Sequence, residues 1–164
     1  MKTINDIYKI IDKEHIILEE VPFKNNFDGI YFKVPGLEPA IGINAKIVGN
    51  SKKYLSTLTE ELGHHFTTIG DLTSECFTYS DKLIRSKKEF KARRWAANFL
   101  ISDEELQLAL QYPFTNISSL CDHFNVTEEI IQMKILTLSF DDIKLKNFKE
   151  EFKKHDIQYQ SCNI

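Results

Sequence analysis

The chain has 164 residues, 42% of them apolar and twelve of them Phe, which is enough to bury one core without disulfides or a metal staple. Lys and Arg number 21 against 24 Asp and Glu, and the resulting net charge of −3 excludes a global field drawing the chain to nucleic acid or an anionic membrane. Six Gly and four Pro exclude collagen-like or low-complexity sequence, and no apolar run approaches the roughly 18–20 residues of a membrane span.

The first helix is predicted where Ile4, Ile7, Tyr8 and Ile11 fall on one helical face behind Thr3 as N-cap. The charged start, Met1 to His15, does not read as a secretory leader. Ile16–Phe23, Gly29–Pro35 and Ala40–Lys46 then predict three short strands, with bends at Asp28-Gly29 and Pro35–Pro39. After Ser51 the pattern turns helical. A helix over about 52–66 ends near Gly70-Asp71, an irregular stretch follows over 71–85, and a second helix runs from near Ser86 to Ile101. Ser102 and Glu105 form a capping box for a short helix closed before Pro113, and helices near 116–124, 127–139 and 141–154 complete the chain. No repeat or linker interrupts it. The expected fold class is α+β: a small N-terminal three-stranded sheet packed on a mostly helical body, one domain over 1–164, with 102–164 as its helical C-terminal part. Cys76, Cys121 and Cys162, odd in number and far apart, read as reduced thiols of a cytoplasmic protein.

Chemistry concentrates in Leu58-Thr59-Glu60-Glu61-Leu62-Gly63-His64-His65-Phe66. Residues four apart lie one helical turn apart on the same face, so Glu60 and His64 can aim a carboxylate and an imidazole at one point, as a Zn²⁺ site requires. Glu61, one position round, can reach a metal-bound water, the location of the general base in zinc hydrolases. The segment resembles the H-E-x-x-H helix of zinc peptidases with Glu60 in place of the first His, a change that makes the site more anionic and moves preference toward harder ions such as Mn²⁺. Glu61 and His65 form a second pair at the same spacing, and periodicity does not choose between the two registers. Solvated Glu–His pairs of this spacing are also common on helix surfaces.

With the strand Ile41-Gly42-Ile43-Asn44, this helix and the later segment Glu89-Phe90-Lys91-Ala92-Arg93-Arg94-Trp95-Ala96-Ala97-Asn98-Phe99-Leu100, the chain resembles the ImmA/IrrE family of zinc metallopeptidases over roughly 27–101, and more loosely to about 139. The resemblance implies the register through Gly63, since the family has Gly before its second His. By carry-over Glu60 and His64 are metal ligands and Glu61 is the catalytic carboxylate. It implies a third ligand from an acid on the second helix, and Glu89 takes that place, with Glu75 in reserve. Ser86 and Glu89 also have capping-box spacing, a competing role for Glu89. The implied activity is a metal-dependent endopeptidase using Zn²⁺, or Mn²⁺ or another divalent ion. Its implied partner is a protein substrate, a helix-turn-helix repressor of a phage or mobile element, cut in trans without direct nucleic-acid or membrane contact. A catalytically silenced module that binds such a partner without cutting it is the alternative.

The remaining candidates read as scaffold. His65 is expected to be a partly exposed helix-end residue, Tyr79 a packing residue of the irregular stretch rather than an electrophile, and His15, His123 and His155 structural or surface groups. Cys76 has no ligand partner at CxxC spacing. The basic run Lys82, Arg85, Lys87, Lys88, Lys91, Arg93 and Arg94 reads as a solvated helix face, opposite Phe90, Ala92, Ala96 and Phe99. Asn116–Leu138 has helix–turn–helix spacing, but Thr127-Glu128-Glu129 at the second helix's start would repel phosphate, so the unit reads as scaffold.

Overall fold

In the computed structural model the chain starts with α1 (Ile4–Lys13), whose Thr3 backbone N–H donates to the Asp6 carboxylate at 2.9 Å. The structure describes residues 1–24, 26–68, 78–110 and 116–154, the side chains of 147–148 and 151–154 excepted. Three strands follow, β1 (Ile17–Val21), β2 (Gly29–Phe32) and β3 (Ala40–Asn44), each at its predicted place but shorter at the ends. Their order is β1-β3-β2, with β1 parallel and β2 antiparallel to the central β3. Ile41 and Ile43 of β3 point into the core, while Ile30 and Phe32 of the edge strand β2 stay exposed. Asn44 closes the sheet: its side-chain amide donates to the Phe27 carbonyl at 2.8 Å, and its backbone N–H donates to Asp28 O at 2.8 Å.

The helical body comprises α2 (Ser51–Thr67), α3 (Tyr79–Leu100), α4 (Asp103–Ala109), α5 (Ile117–Phe124), α6 (Glu128–Ser139) and α7 (Asp142–Lys154). Asn50 caps α2, accepting from Lys53 N–H at 3.1 Å, and Ser102 and Glu105 make the predicted capping box of α4. The α+β architecture is therefore the one expected from the sequence. One core joins the sheet to the helices through Ile7, Ile43, Leu58, Leu62, Ala96 and Ile130, all essentially inaccessible to solvent. The α5–α6 unit is fastened to α2: Thr127 N–H donates to Ser56 Oγ at 2.9 Å, Ser51 Oγ to Asn125 Oδ1 at 2.9 Å, and Lys52 pairs with Asp122. The second helix of that pair buries Ile130, Ile131, Met133, Lys134 and Leu138, so it is a packing element rather than a presented reading helix.

Two expectations are corrected here. The second long helix begins at Tyr79, not near Ser86, because Thr78 caps it: Asp81 N–H donates to Thr78 Oγ1 at 3.1 Å and Thr78 N–H to the Asp81 carboxylate at 2.8 Å. That box was obscured because the first two turns of α3 bury almost nothing, leaving no apolar stripe to mark a helix. Tyr79 accordingly sits 82% exposed at the helix start, about 15 Å of helix from Glu89. Among the described residues no helix is long and apolar enough to cross a membrane.

Candidate functional site

The site depends on how closely α2 and α3 approach. Gly63 faces α3 so tightly that a Cβ there would stand 2.5 Å from the Ala92 carbonyl oxygen. The α3 side is equally small, with Ala92, Ala96 and Ala97 buried. A glycine opposite alanines lets the two backbones come near enough for side chains on the neighbouring turns to meet.

The residue after Gly63 makes the contact. His64 is almost fully enclosed, and its Nε2 lies 3.3 Å from Oε2 of Glu89 on α3. Its Nδ1 is 3.2 Å from Thr68 Oγ1, and a hydroxyl can donate or accept, so the ring plane is fixed with Nε2 turned toward Glu89. The hydrogen bond from His64 holds the Glu89 carboxyl below its ordinary range against the opposing effect of burial, with Arg93 and Arg85 assisting. Ser86, the rival partner of Glu89, lies within α3 and donates to the Lys82 carbonyl at 3.0 Å, so Glu89 is not engaged as a cap.

Glu61 stands against β2. A Cβ on Gly29 would fall 2.7 Å from its Oε1, and the Tyr31 backbone N–H donates to it. Burial pushes its carboxyl up to about 7; the nearby Glu60 and Glu89 charges add to the rise and His64 opposes it. A carboxyl in that range exchanges its proton near neutrality, which is what a general base or acid needs.

Glu60 takes a different partner. Its Oε1 accepts from Arg93 Nε at 3.2 Å and its Oε2 from Arg93 Nη2 at 3.5 Å. Burial raises the Glu60 carboxyl, and the Arg93 guanidinium only partly offsets it. Thus His64 and Glu89 are brought together, while Glu60 is held by a cation of α3. Among the described residues no three His, Cys, Asp or Glu side chains are gathered closely enough to hold a metal ion. The donor chemistry nevertheless fits a divalent ion: an oriented imidazole and carboxylates from two helices, without a thiolate, suit Zn²⁺ or Mn²⁺.

Arg93, Thr68 and Tyr31 were not singled out for the site by the sequence. Arg93 had a signal, since it lies four residues after Glu89 and shares its helix face. The basic run is otherwise a largely solvated face, with Lys82, Arg85, Lys87, Lys91 and Arg94 exposed and Lys88 and Arg93 partly covered. His65 lies in the last turn of α2 as expected, and it is partly exposed but tied down. Its side chain is 10% exposed, with Nδ1 3.0 Å from the Tyr31 hydroxyl and Nε2 3.6 Å from Glu14. It ties α1 and β2 to α2. His15 ends α1 with a φ of 52°, His123 packs edge-on against Phe124, and Cys121 is a buried thiol. Glu75, Cys76, His155 and Cys162 lie outside the described residues.

A sheet edge laid on a helix bearing E-E-x-x-H, with an acid delivered from the next helix, defines a metallopeptidase-like domain. Residues 24–136 match the Peptidase_M78 family, described as the IrrE N-terminal-like domain, and the chain belongs to that family. No curated protein and no solved structure matches the chain.

Proposed function

We propose that the chain is a metal-dependent endopeptidase, with Glu60, His64 and Glu89 as the side chains that hold a Zn²⁺ or Mn²⁺ ion and Glu61 as its general base. The observation that carries this reading is the 3.3 Å approach of His64 Nε2 to Glu89 Oε2, with the half-buried carboxyl of Glu61 nearby. A bound divalent ion supplies Lewis acidity toward a scissile carbonyl and acidifies water. The protein's own part is orientation and proton handling. Thr68 fixes the His64 ring, the Tyr31 N–H aims Glu61, and Glu61, pushed up to about 7, takes a proton from water and returns it to the leaving amine.

The proposed substrate is a helix-turn-helix repressor of a phage or mobile element, cut in trans. The test is incubation with purified helix-turn-helix repressors, beginning with any that is encoded beside this chain. The wild type is expected to yield fragments, and Glu61→Gln is expected to retain metal while yielding none. Cleavage by Glu61→Gln at the wild-type rate would remove Glu61 from the mechanism.

A second reading rests on the ion pair of Glu60 with Arg93. If that pair persists in solution with metal present, the domain binds its partner without cutting it. An intact, metal-free complex with the repressor is the outcome that selects it.

A further inference from the structure

The contact between Glu60 and Arg93 has a geometry that a chance surface pair lacks. Both carboxylate oxygens of Glu60 face the guanidinium, one on Nε and one on Nη2, in a side-on two-point contact across α2 and α3. Glu60 is 23% exposed and Arg93 41%, so the carboxylate is partly desolvated while the guanidinium keeps access to water and room to swing. Charge explains why a cation belongs there. Glu61 feels the charges of both Glu60 and Glu89, and a carboxylate in the first ligand position adds one negative charge relative to an imidazole. Arg93 returns one positive charge at that position.

We propose that Arg93 is a positioning residue that latches Glu60 until a divalent cation displaces it, and that Glu129 at the start of α6 receives the released guanidinium. This rests on the ligand set proposed above. α3 and α6 pack against each other, with Glu129 in the first turn of α6. The Glu129 carboxyl is held down by its own backbone N–H and the Thr127 hydroxyl, and also by the charge of Arg93. The charge of Glu129 is felt in turn at Glu60. The charge of Arg93 thus acts on two carboxylates on different helices, one a ligand candidate and one not. A guanidinium and a metal ion compete for Glu60, so the latch lowers metal affinity and makes metal uptake a side-chain switch.

The test is calorimetric titration of Zn²⁺, and separately Mn²⁺, into the chelator-stripped full chain. Arg93→Gln is expected to bind about tenfold tighter than wild type, the size appropriate to removing one partly solvated competing charge. Arg93→Lys, a point charge without the fork, should fall between them. Glu129→Gln should bind severalfold more weakly, and that effect should vanish in the Arg93→Gln background. Likewise Arg93→Gln should change nothing in Glu60→Gln. Weaker or unchanged binding by Arg93→Gln, with its circular-dichroism spectrum intact, overturns the latch while leaving the ligand set standing. Wild-type binding that His64→Ala does not weaken, or no binding in any variant, overturns the ligand set and the latch with it.

Discussion

Replacing Gly63 by Ala tests the physical basis of the site, because the substitution adds one methyl where two helix backbones meet. The new Cβ would stand 2.5 Å from the Ala92 carbonyl oxygen, 3.0 Å from its carbonyl carbon and 3.1 Å from its Cα. Carbon contacts settle near 3.5–4.0 Å, so the helices must part by on the order of 1 Å. No rotamer change relieves the clash, since the obstructing atoms are backbone. Overpacking of this kind costs about 1–3 kcal/mol, and the backbone obstacle places Gly63→Ala at the top of that range. The gain in helix propensity returns only about 1 kcal/mol. The net loss is about 2 kcal/mol, which lowers Tm by roughly 4–8 °C for a chain of this size. Gly49→Ala is the control: nothing lies within 4 Å of its Cβ position, so it should be neutral or stabilise by up to about 1 kcal/mol. Urea and thermal unfolding read both. A Gly63→Ala protein as stable as wild type, or more stable, would refute the close-packing argument. Parting the helices also draws His64 from Glu89, so metal affinity should fall together with Tm.

Gly29→Ala places a Cβ 2.7 Å from Glu61 Oε1 and from Thr57 Cγ2, and displacing the carboxylate should lower kcat of the proposed peptide cleavage by roughly 10- to 100-fold with metal content unchanged. Asp103→Asn leaves the buried Lys134 ammonium, 2.6 Å from the Asp103 carboxylate, without its counter-charge, and equilibrium unfolding should show a loss of about 3–5 kcal/mol. Lys134→Met, which removes the charge itself, should cost much less. Burial opposes ionisation of Asp103, but Lys134 and Lys144 outweigh it and its folded pKa lies below the unfolded value, so its contribution is present above about pH 4 and is lost as pH falls through the folded pKa. Wild-type stability should therefore decline on acidification, with a smaller decline in Asp103→Asn.

What the sequence made legible follows from how locally each feature is encoded. The apolar spacing of Ile4, Ile7 and Ile11 and the Ser102–Glu105 box are contained within single helices, and both helices form where predicted. The start of α3 was missed because its opening turns are exposed and its signal is a polar cap, Thr78 with Asp81. The β1-β3-β2 order depends on pairing across the chain, which no local pattern specifies. At the candidate site, helical spacing offered Glu60 with His64 and Glu61 with His65 as equal pairs, and only the family resemblance chose the first. The grip of Arg93 on Glu60 and the enclosure of His65 by Tyr31 and Glu14 were not legible, because they join residues 33, 34 and 51 positions apart. Gly63 was visible only as a marker of register, and the α3 backbone opposite it supplies the reason.

The proposed metal centre requires His64 and Glu89 to share a cation across α2 and α3. Elemental analysis of protein purified without chelator is the direct measurement, made on the wild type, His64→Ala and Glu89→Gln. Stoichiometric divalent metal in the wild type, lost from both variants while their folds persist, is the predicted result. A wild type without metal, or variants that retain it in full, would contradict the account.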